Sequence, residues 1–176
     1  LDGPDGLLAG AAAGTVVVKD INVGGFGSNP RLLTNVNGTL FFVADDAVNG
    51  IELWKSDGTA AGTVLVKNIT AGSGTAGPGQ LTSVGGRLFF TVDDGVHSSE
   101  LWTSDGTEAG TVLVKDIVPG GGTSLPQNLI NVNGTLFFSA NDGVNGSELW
   151  KSDGTEAGTV LVKDIIPGAG GSIGTV

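Results

Sequence analysis

The chain predicts an all-β repeat protein of four-stranded antiparallel, propeller-type blades, with three full units and partial units at the ends. Three observations carry that expectation. The tripeptide Glu-Leu-Trp recurs at Glu52-Leu53-Trp54, Glu100-Leu101-Trp102 and Glu148-Leu149-Trp150, a period of 48 residues, and a fixed period in that range marks repeat architectures. Short runs rich in Val, Leu, Phe and Trp alternate with Asn-Gly, Gly-Gly and Asp-Gly pairs, which is how strands and turns are punctuated. No segment spaces its apolar residues by three and four over a useful length, so helix is not expected.

Within the first full unit the elements follow in order. "LLTNV" enters as a strand. Asn37-Gly38 then supplies the two positive-φ positions of a type I′ turn before "TLFFVA", and Gly85-Gly86 does the same in the second unit. "DDAVNG" reads as a loop, "IELWKS" as a third strand, "DGTAAG" as a second turn and "TVLVKNI" as a fourth strand. The second strand returns as "GTLFFVADD" from Gly38, "GRLFFTVDD" from Gly86 and "GTLFFSAND" from Gly134. The chain divides accordingly. A degenerate partial unit covers 1–14, the fourth strand of a preceding unit with its loop covers 15–29, full units cover 30–77, 78–125 and 126–173, and 174–176 form the C-terminal end.

Between Glu52–Ile69 and its two copies, 15 of 18 positions are the same, so the unit is expected to pack against copies of itself. The second strand puts Leu40 and Phe42 on one face and Phe41 and Val43 on the other, and both faces must be covered. A sheet stacked between neighbouring sheets meets that need, as in propeller blades; a solenoid and a pair of packed sheets are the alternatives. Three units fall short of the ~4 to 8 blades that close a propeller, and open edges promote association. The expected partners are therefore other copies of the chain, in a homo-oligomer or filament, or further repeats of a longer parent.

Bulk properties narrow the function classes. A chain of 176 residues with 39% hydrophobic residues can bury a core, and its 32 glycines fall between apolar runs, as turns do. The absence of cysteine excludes disulfides and thiolate chemistry. A net charge of -10, with Arg31 and Arg87 the only arginines, repels phosphate backbones and anionic lipid, so nucleic acid is not an expected partner. No apolar run approaches the ~20 residues that cross a bilayer as a helix, so membrane insertion is not expected. Opening at Leu1 rather than Met, the chain is expected to be a processed product or a segment of something longer.

Counting across the third and fourth strands gives a structural account of the repeated residues. Folding back over the loop from Asp57 to Gly62 sets Ser56 against Thr63, Lys55 against Val64, Trp54 against Leu65, Leu53 against Val66 and Glu52 against Lys67. Opposite charges then meet across the ladder, and the pattern predicts the same for Glu100 with Lys115 and Glu148 with Lys163. Trp54, Trp102 and Trp150 pack on leucine. Asp57, Asp105 and Asp153 accept backbone N–H groups to close the second turn, and the following glycine takes a positive φ.

This set of residues resembles the ELWxxDGT repeat family, tandem units of large secreted or surface proteins of bacteria. The resemblance covers Thr15 to about Gly168 and implies extracellular or cell-surface placement, a bacterial source and a propeller-like or adhesin-like scaffold. It implies no established catalytic residues. At the start the pattern lapses, because Pro4, Gly6 and Ala9 stand where the glutamate, tryptophan and aspartate of the motif belong.

Among chemistry-bearing constellations the acidic loops are the strongest. "DDAVNGIE", "DDGVHSSE" and "NDGVNGSE" place Asp46, Asp94 and Asp142 six residues before Glu52, Glu100 and Glu148, and calcium takes six to eight oxygens of this kind. Calcium is therefore a candidate ligand, although the spacing is not that of an EF-hand and an ordinary Asp/Gly turn explains the loops as well. The single histidine, His97, stands where sibling units carry Asn49 and Asn145 and reads as a solvent-facing variant. Ser-Asp-Gly-Thr is similar to sialidase Asp-box hairpins, but a chain without tyrosine and with two arginines lacks their usual sites. The leading expectation is a non-enzymatic extracellular structural or adhesive module without a cofactor. The alternative is a calcium- or carbohydrate-binding, lectin-like propeller module.

Overall fold

The computed structural model describes residues 14–24, 26–70 and 77–168. Apart from Gly14, the partial unit expected over 1–14 and the end at 174–176 lie outside the described residues. Twelve strands and no helix occur among the described residues. They are β1 (Arg31–Val36), β2 (Thr39–Asp45), β3 (Ile51–Ser56) and β4 (Val64–Lys67) in the first unit; β5 (Gly79–Val84), β6 (Arg87–Asp93), β7 (Ser99–Ser104) and β8 (Val112–Lys115) in the second; and β9 (Gln127–Val132), β10 (Thr135–Asn141), β11 (Ser147–Ser152) and β12 (Val160–Lys163) in the third. Each unit is one antiparallel four-stranded sheet with its strands in chain order.

The turn chemistry explains the register. Asn37 and Gly38 have φ of 51° and 86°, and Gly85 with Gly86 and Asn133 with Gly134 repeat the pair of positive values. That geometry suits the right-handed twist of the flanking strands, and it sets Val36 directly against Thr39. A bulge interrupts β1 between Arg31 and Thr34, where Leu32 takes φ 55°; Gln80 and Asn128 repeat it at 54° and 56°. Such an extra residue bends the strand and adds twist.

A second bulge corrects the expected pairing of β3 with β4. Lys55 meets Val64 and Trp54 meets Leu65 as counted, but Leu53 meets Lys67, because Val66 is the extra residue. The insertion turns Val66 into the core at 5% exposure and removes Lys67 from Glu52. The same shift occurs at Leu101/Trp102 and Leu149/Trp150, so Glu100–Lys115 and Glu148–Lys163 do not pair either. Thr15–Ile21, expected as a fourth strand, joins no ladder among the described residues.

The cores lie between sheets rather than within them. Phe41, Leu53 and Val66 of the first sheet interlock with Leu88, Phe90 and Trp102 of the second. Phe89, Leu101 and Val114 of the second interlock in the same way with Leu136, Phe138 and Trp150 of the third. The two-sided apolar second strand is thus accounted for, since its odd and even residues serve different neighbours. Each fully buried Leu or Phe contributes about 1.5–3 kcal/mol, and that burial is supplied by the neighbouring sheet. Side by side, β1 contacts β5 and β5 contacts β9.

Candidate functional site

The repeated Ser-Asp-Gly-Thr turn is built by its own side chains. Asp57 Oδ1 accepts the Thr59 N–H at 2.8 Å and the Thr59 hydroxyl at 2.7 Å. Thr59 Oγ1 in turn accepts the Gly62 N–H at 2.9 Å, and Thr63 donates to the Thr59 carbonyl at 2.7 Å. The hydroxyls of Ser56 and Thr63 lie 2.7 Å apart, and Ser56 Oγ also accepts the Gly58 N–H. Asp105 and Asp153 centre identical networks. A Cβ at Gly62, Gly110 or Gly158 would collide with the aspartate, which fixes glycine there. Hydrogen bonds from the threonine hydroxyl and N–H hold Asp57, Asp105 and Asp153 below the ordinary aspartate value.

The lysines after that turn reach across units. Lys67 Nζ donates to the Thr111 carbonyl at 2.8 Å and Lys115 Nζ to the Thr159 carbonyl at 3.0 Å. Lys19 does the same to Thr63 at 2.8 Å, so the segment before the first unit sits where a preceding unit's lysine would. Lys67 also lies 5.8 Å from the centre of the Trp102 ring, within cation–π range. Trp102 is buried at 7% exposure and tilts at 36° to Phe90. Trp54 and Trp150 occupy the same place in their sheets, each buried. Lys163 donates no hydrogen bond among the described residues.

The glutamates fasten the connection to the next unit. Glu52, Glu100 and Glu148 are all 0% exposed. Glu52 Oε1 accepts the N–H groups of Ile69 and Thr70 at 3.1 and 2.8 Å and the Thr70 hydroxyl at 2.9 Å. Glu100 accepts the Ile117 N–H, and the Ser124 N–H and hydroxyl at 3.0 and 2.6 Å. The Ile165 N–H points to Glu148 Oε2 at 3.5 Å. Burial raises the Glu52 and Glu100 carboxyls above the ordinary glutamate value despite these hydrogen bonds. Glu52 Oε2, buried without a hydrogen-bond partner, shows why: a charge there loses water and gains nothing.

In the acidic loops each aspartate caps its own turn. Asp46 accepts the Val48 and Asn49 N–H groups and the Asn49 side-chain amide; Asp142 repeats this with Val144 and Asn145. Asp94 accepts the Val96 and His97 N–H groups and pairs with His97 Nδ1 at 2.8 Å. Burial opposes charge on these three carboxyls, yet the hydrogen bonds outweigh it and hold them low. The Asp94 contact raises the His97 ring. Sequence reasoning placed His97 in solvent, and its side chain is 35% exposed while bonded. Asp46 and Glu52 are close enough to interact electrostatically, but they serve different backbone segments. No group of three or more His, Asp or Glu side chains that could hold a metal occurs among the described residues.

The structure thus assembles a joint, repeated along the chain. Reasoning from one unit missed that the lysine and glutamate act on the neighbouring unit and on the connection to it. A signal for it is present: Glu and Ile keep a spacing of 17, and Lys and the acceptor threonine one of 44. Comparison of the chain with protein-family models, curated proteins and solved structures finds no match. The resemblance to ELWxxDGT repeats therefore rests on the repeated residues themselves.

Proposed function

We propose that the chain is a non-enzymatic structural or adhesive repeat module, propeller-like in the way its sheets follow one another, that works outside the cell or at its surface. It associates with copies of itself or with further repeats of a longer array. The observation that supports this most is how the motif is used. Lys67, Lys115, Glu52, Glu100 and the aspartates of the turns all have their hydrogen bonds inside or between units. A reaction centre needs its acid, base or nucleophile placed in a cleft and free to act; here those side chains hold sheets together. Light scattering over a dilution series tests the reading, with mass above that of one chain at high concentration as the expected result.

The acidic loops favour a second reading, a calcium- or carbohydrate-binding, lectin-like module. Three equivalent loops each hold an aspartate in a fixed turn and expose a valine at the tip: Val48 at 79%, Val96 at 69% and Val144 at 70%. Calorimetric titration with calcium, followed by a chelator, separates the two. The structural reading expects no heat and an unchanged melting temperature; saturable heat at a stoichiometry of one per loop would replace it with the second.

A further inference from the structure

The two joints inside the molecule show how a unit of this kind receives the next one. On the first sheet Val36, Leu53, Val66 and Ile69 are exposed by 5%, 0%, 5% and 8%, because the second sheet covers them. Val84, Leu101, Val114 and Ile117 on the second sheet read 4%, 0%, 5% and 7% under the third. The equivalent residues of the third sheet, Val132, Leu149, Val162 and Ile165, are exposed by 44%, 36%, 44% and 59%. Beside them a cleft of about 360 Å³ opens between Lys151, Asp153 and Val160. At these four positions and at Phe137 the face carries the same residues as its buried siblings, while Ser139 stands where they have Val43 and Thr91. What covers the siblings is a sheet of the same kind.

The first sheet presents the matching side. Phe42, Ala44 and Trp54, which correspond to Phe90, Val92 and Trp102, are exposed by only 5%, 0% and 6%; they pack with Ile21, Leu40 and Leu65, and among the described residues no second sheet lies on them. Gly106 and Gly154 each lie against the phenylalanine ring of the preceding sheet, their Cβ positions 3.1 Å from Phe41 and Phe89, whereas nothing lies within 4 Å of the Cβ position of Gly58. A cleft of about 260 Å³ remains between Lys19, Ile21, Leu40 and Phe42. The segment from Thr15 to Asp20 that rests there is exposed along its length, with Val16 at 67% and Val17 at 58%. It places Lys19 on the Thr63 carbonyl, the seat that Lys67 and Lys115 take on the later sheets.

We infer that the third sheet docks head-to-tail on the first sheet of a second copy, where Lys163 replaces Lys19 on the Thr63 carbonyl and Phe137 covers Gly58. This rests on the self-association proposed above and deepens it, because it names a sheet face, not a strand edge, as the surface. The segment from Thr15 to Ile21 is then a competitor that shields the receiving face. It brings a lysine and an isoleucine, whereas an incoming sheet brings the whole apolar face. The joint is heterologous, so it continues from copy to copy, into a ring where the rotation closes and a filament where it does not.

The experiment compares the full chain with Leu149→Asp, Val162→Asp, Lys19→Ala and Val144→Asp by light scattering and sedimentation, at about 0.15 M salt to screen the acidic surface. Circular dichroism and tryptophan fluorescence confirm that each variant is folded. Leu149→Asp and Val162→Asp should weaken association about 100-fold or more, Lys19→Ala should strengthen it about tenfold, and Val144→Asp, on an exposed loop tip, should leave it unchanged. Association that persists unaltered in folded Leu149→Asp and Val162→Asp overturns the docking face while leaving self-association standing. A monomer at every concentration, in Lys19→Ala as well as in the parent chain, overturns both.

Discussion

Lys67 Nζ lies 2.8 Å from the carbonyl oxygen of Thr111, 44 residues further on, so the cation of one sheet holds the turn of the next. The acceptor belongs to the threonine whose own hydroxyl closes that turn with Ser104. Each joint therefore couples a local network in one unit to the strand end of another. Lys67→Met should remove a charge-assisted hydrogen bond and a cation–π contact, and is expected to cost about 1–2 kcal/mol in urea unfolding. Lys163→Met, in protein dilute enough to be monomeric, should stay within about 0.5 kcal/mol of the parent. Equal losses from the two variants would mean that the lysines act within their own sheets.

The buried glutamates make stability depend on pH in a defined direction. Burial raises the Glu52 and Glu100 carboxyls, so the folded chain holds those protons more tightly than the unfolded chain. Their contribution is complete below the ordinary glutamate pKa and declines as pH rises through the raised value. Asp105 behaves oppositely: the Thr107 hydroxyl and N–H depress it, so its contribution is present above the ordinary aspartate value and is lost as pH falls through the depressed one. Urea unfolding across pH should give a maximum in the mildly acidic range. Glu100→Gln should flatten the limb above it and leave the acid limb in place, while Glu100→Ala should cost about 2–4 kcal/mol by leaving buried donors without an acceptor. A pH profile that Glu100→Gln does not alter would remove this account.

Two glycines separate backbone strain from packing. Gly58 and Gly154 have φ of 91° and 93°, so an alanine at either position pays the left-handed penalty of about 1–2 kcal/mol. Only at Gly154 does the added methyl press on a neighbouring sheet, 3.1 Å from Phe89 Cζ. In protein dilute enough to be monomeric, Gly154→Ala is expected to lose about 1 kcal/mol more than Gly58→Ala in thermal or urea unfolding. The same loss at both sites would show that the turn does not bear on the joint.

Much of the local structure was legible. The strand over Thr39–Asp45 and the turn at Asn37-Gly38 follow from residue types whose preferences act over a few bonds. The ladder from Ser56 outward could be counted as far as Trp54 and Leu65. It failed at Leu53 because a bulge at Val66 leaves no mark in composition: the extra residue is as apolar as its neighbours, and only burial against the next sheet selects it. The acidic loops were legible as turns, but the partners of Glu52 lie 17 and 18 residues away on the connection to the next unit. The constant spacing of 17 between Glu and Ile carries the signal, but only the folded connection shows that the two meet.

What the sequence by itself determined is the period, the strand content and the chemistry of each turn, since these depend on neighbouring residues and on a pattern that repeats within one chain. Only the tertiary structure decided which residues of one unit answer to the next. Lys67 met Thr111 and not Glu52 because a one-residue bulge reverses the face a side chain points to, and because the apolar surface of a lone sheet is satisfied only by a second sheet laid against it.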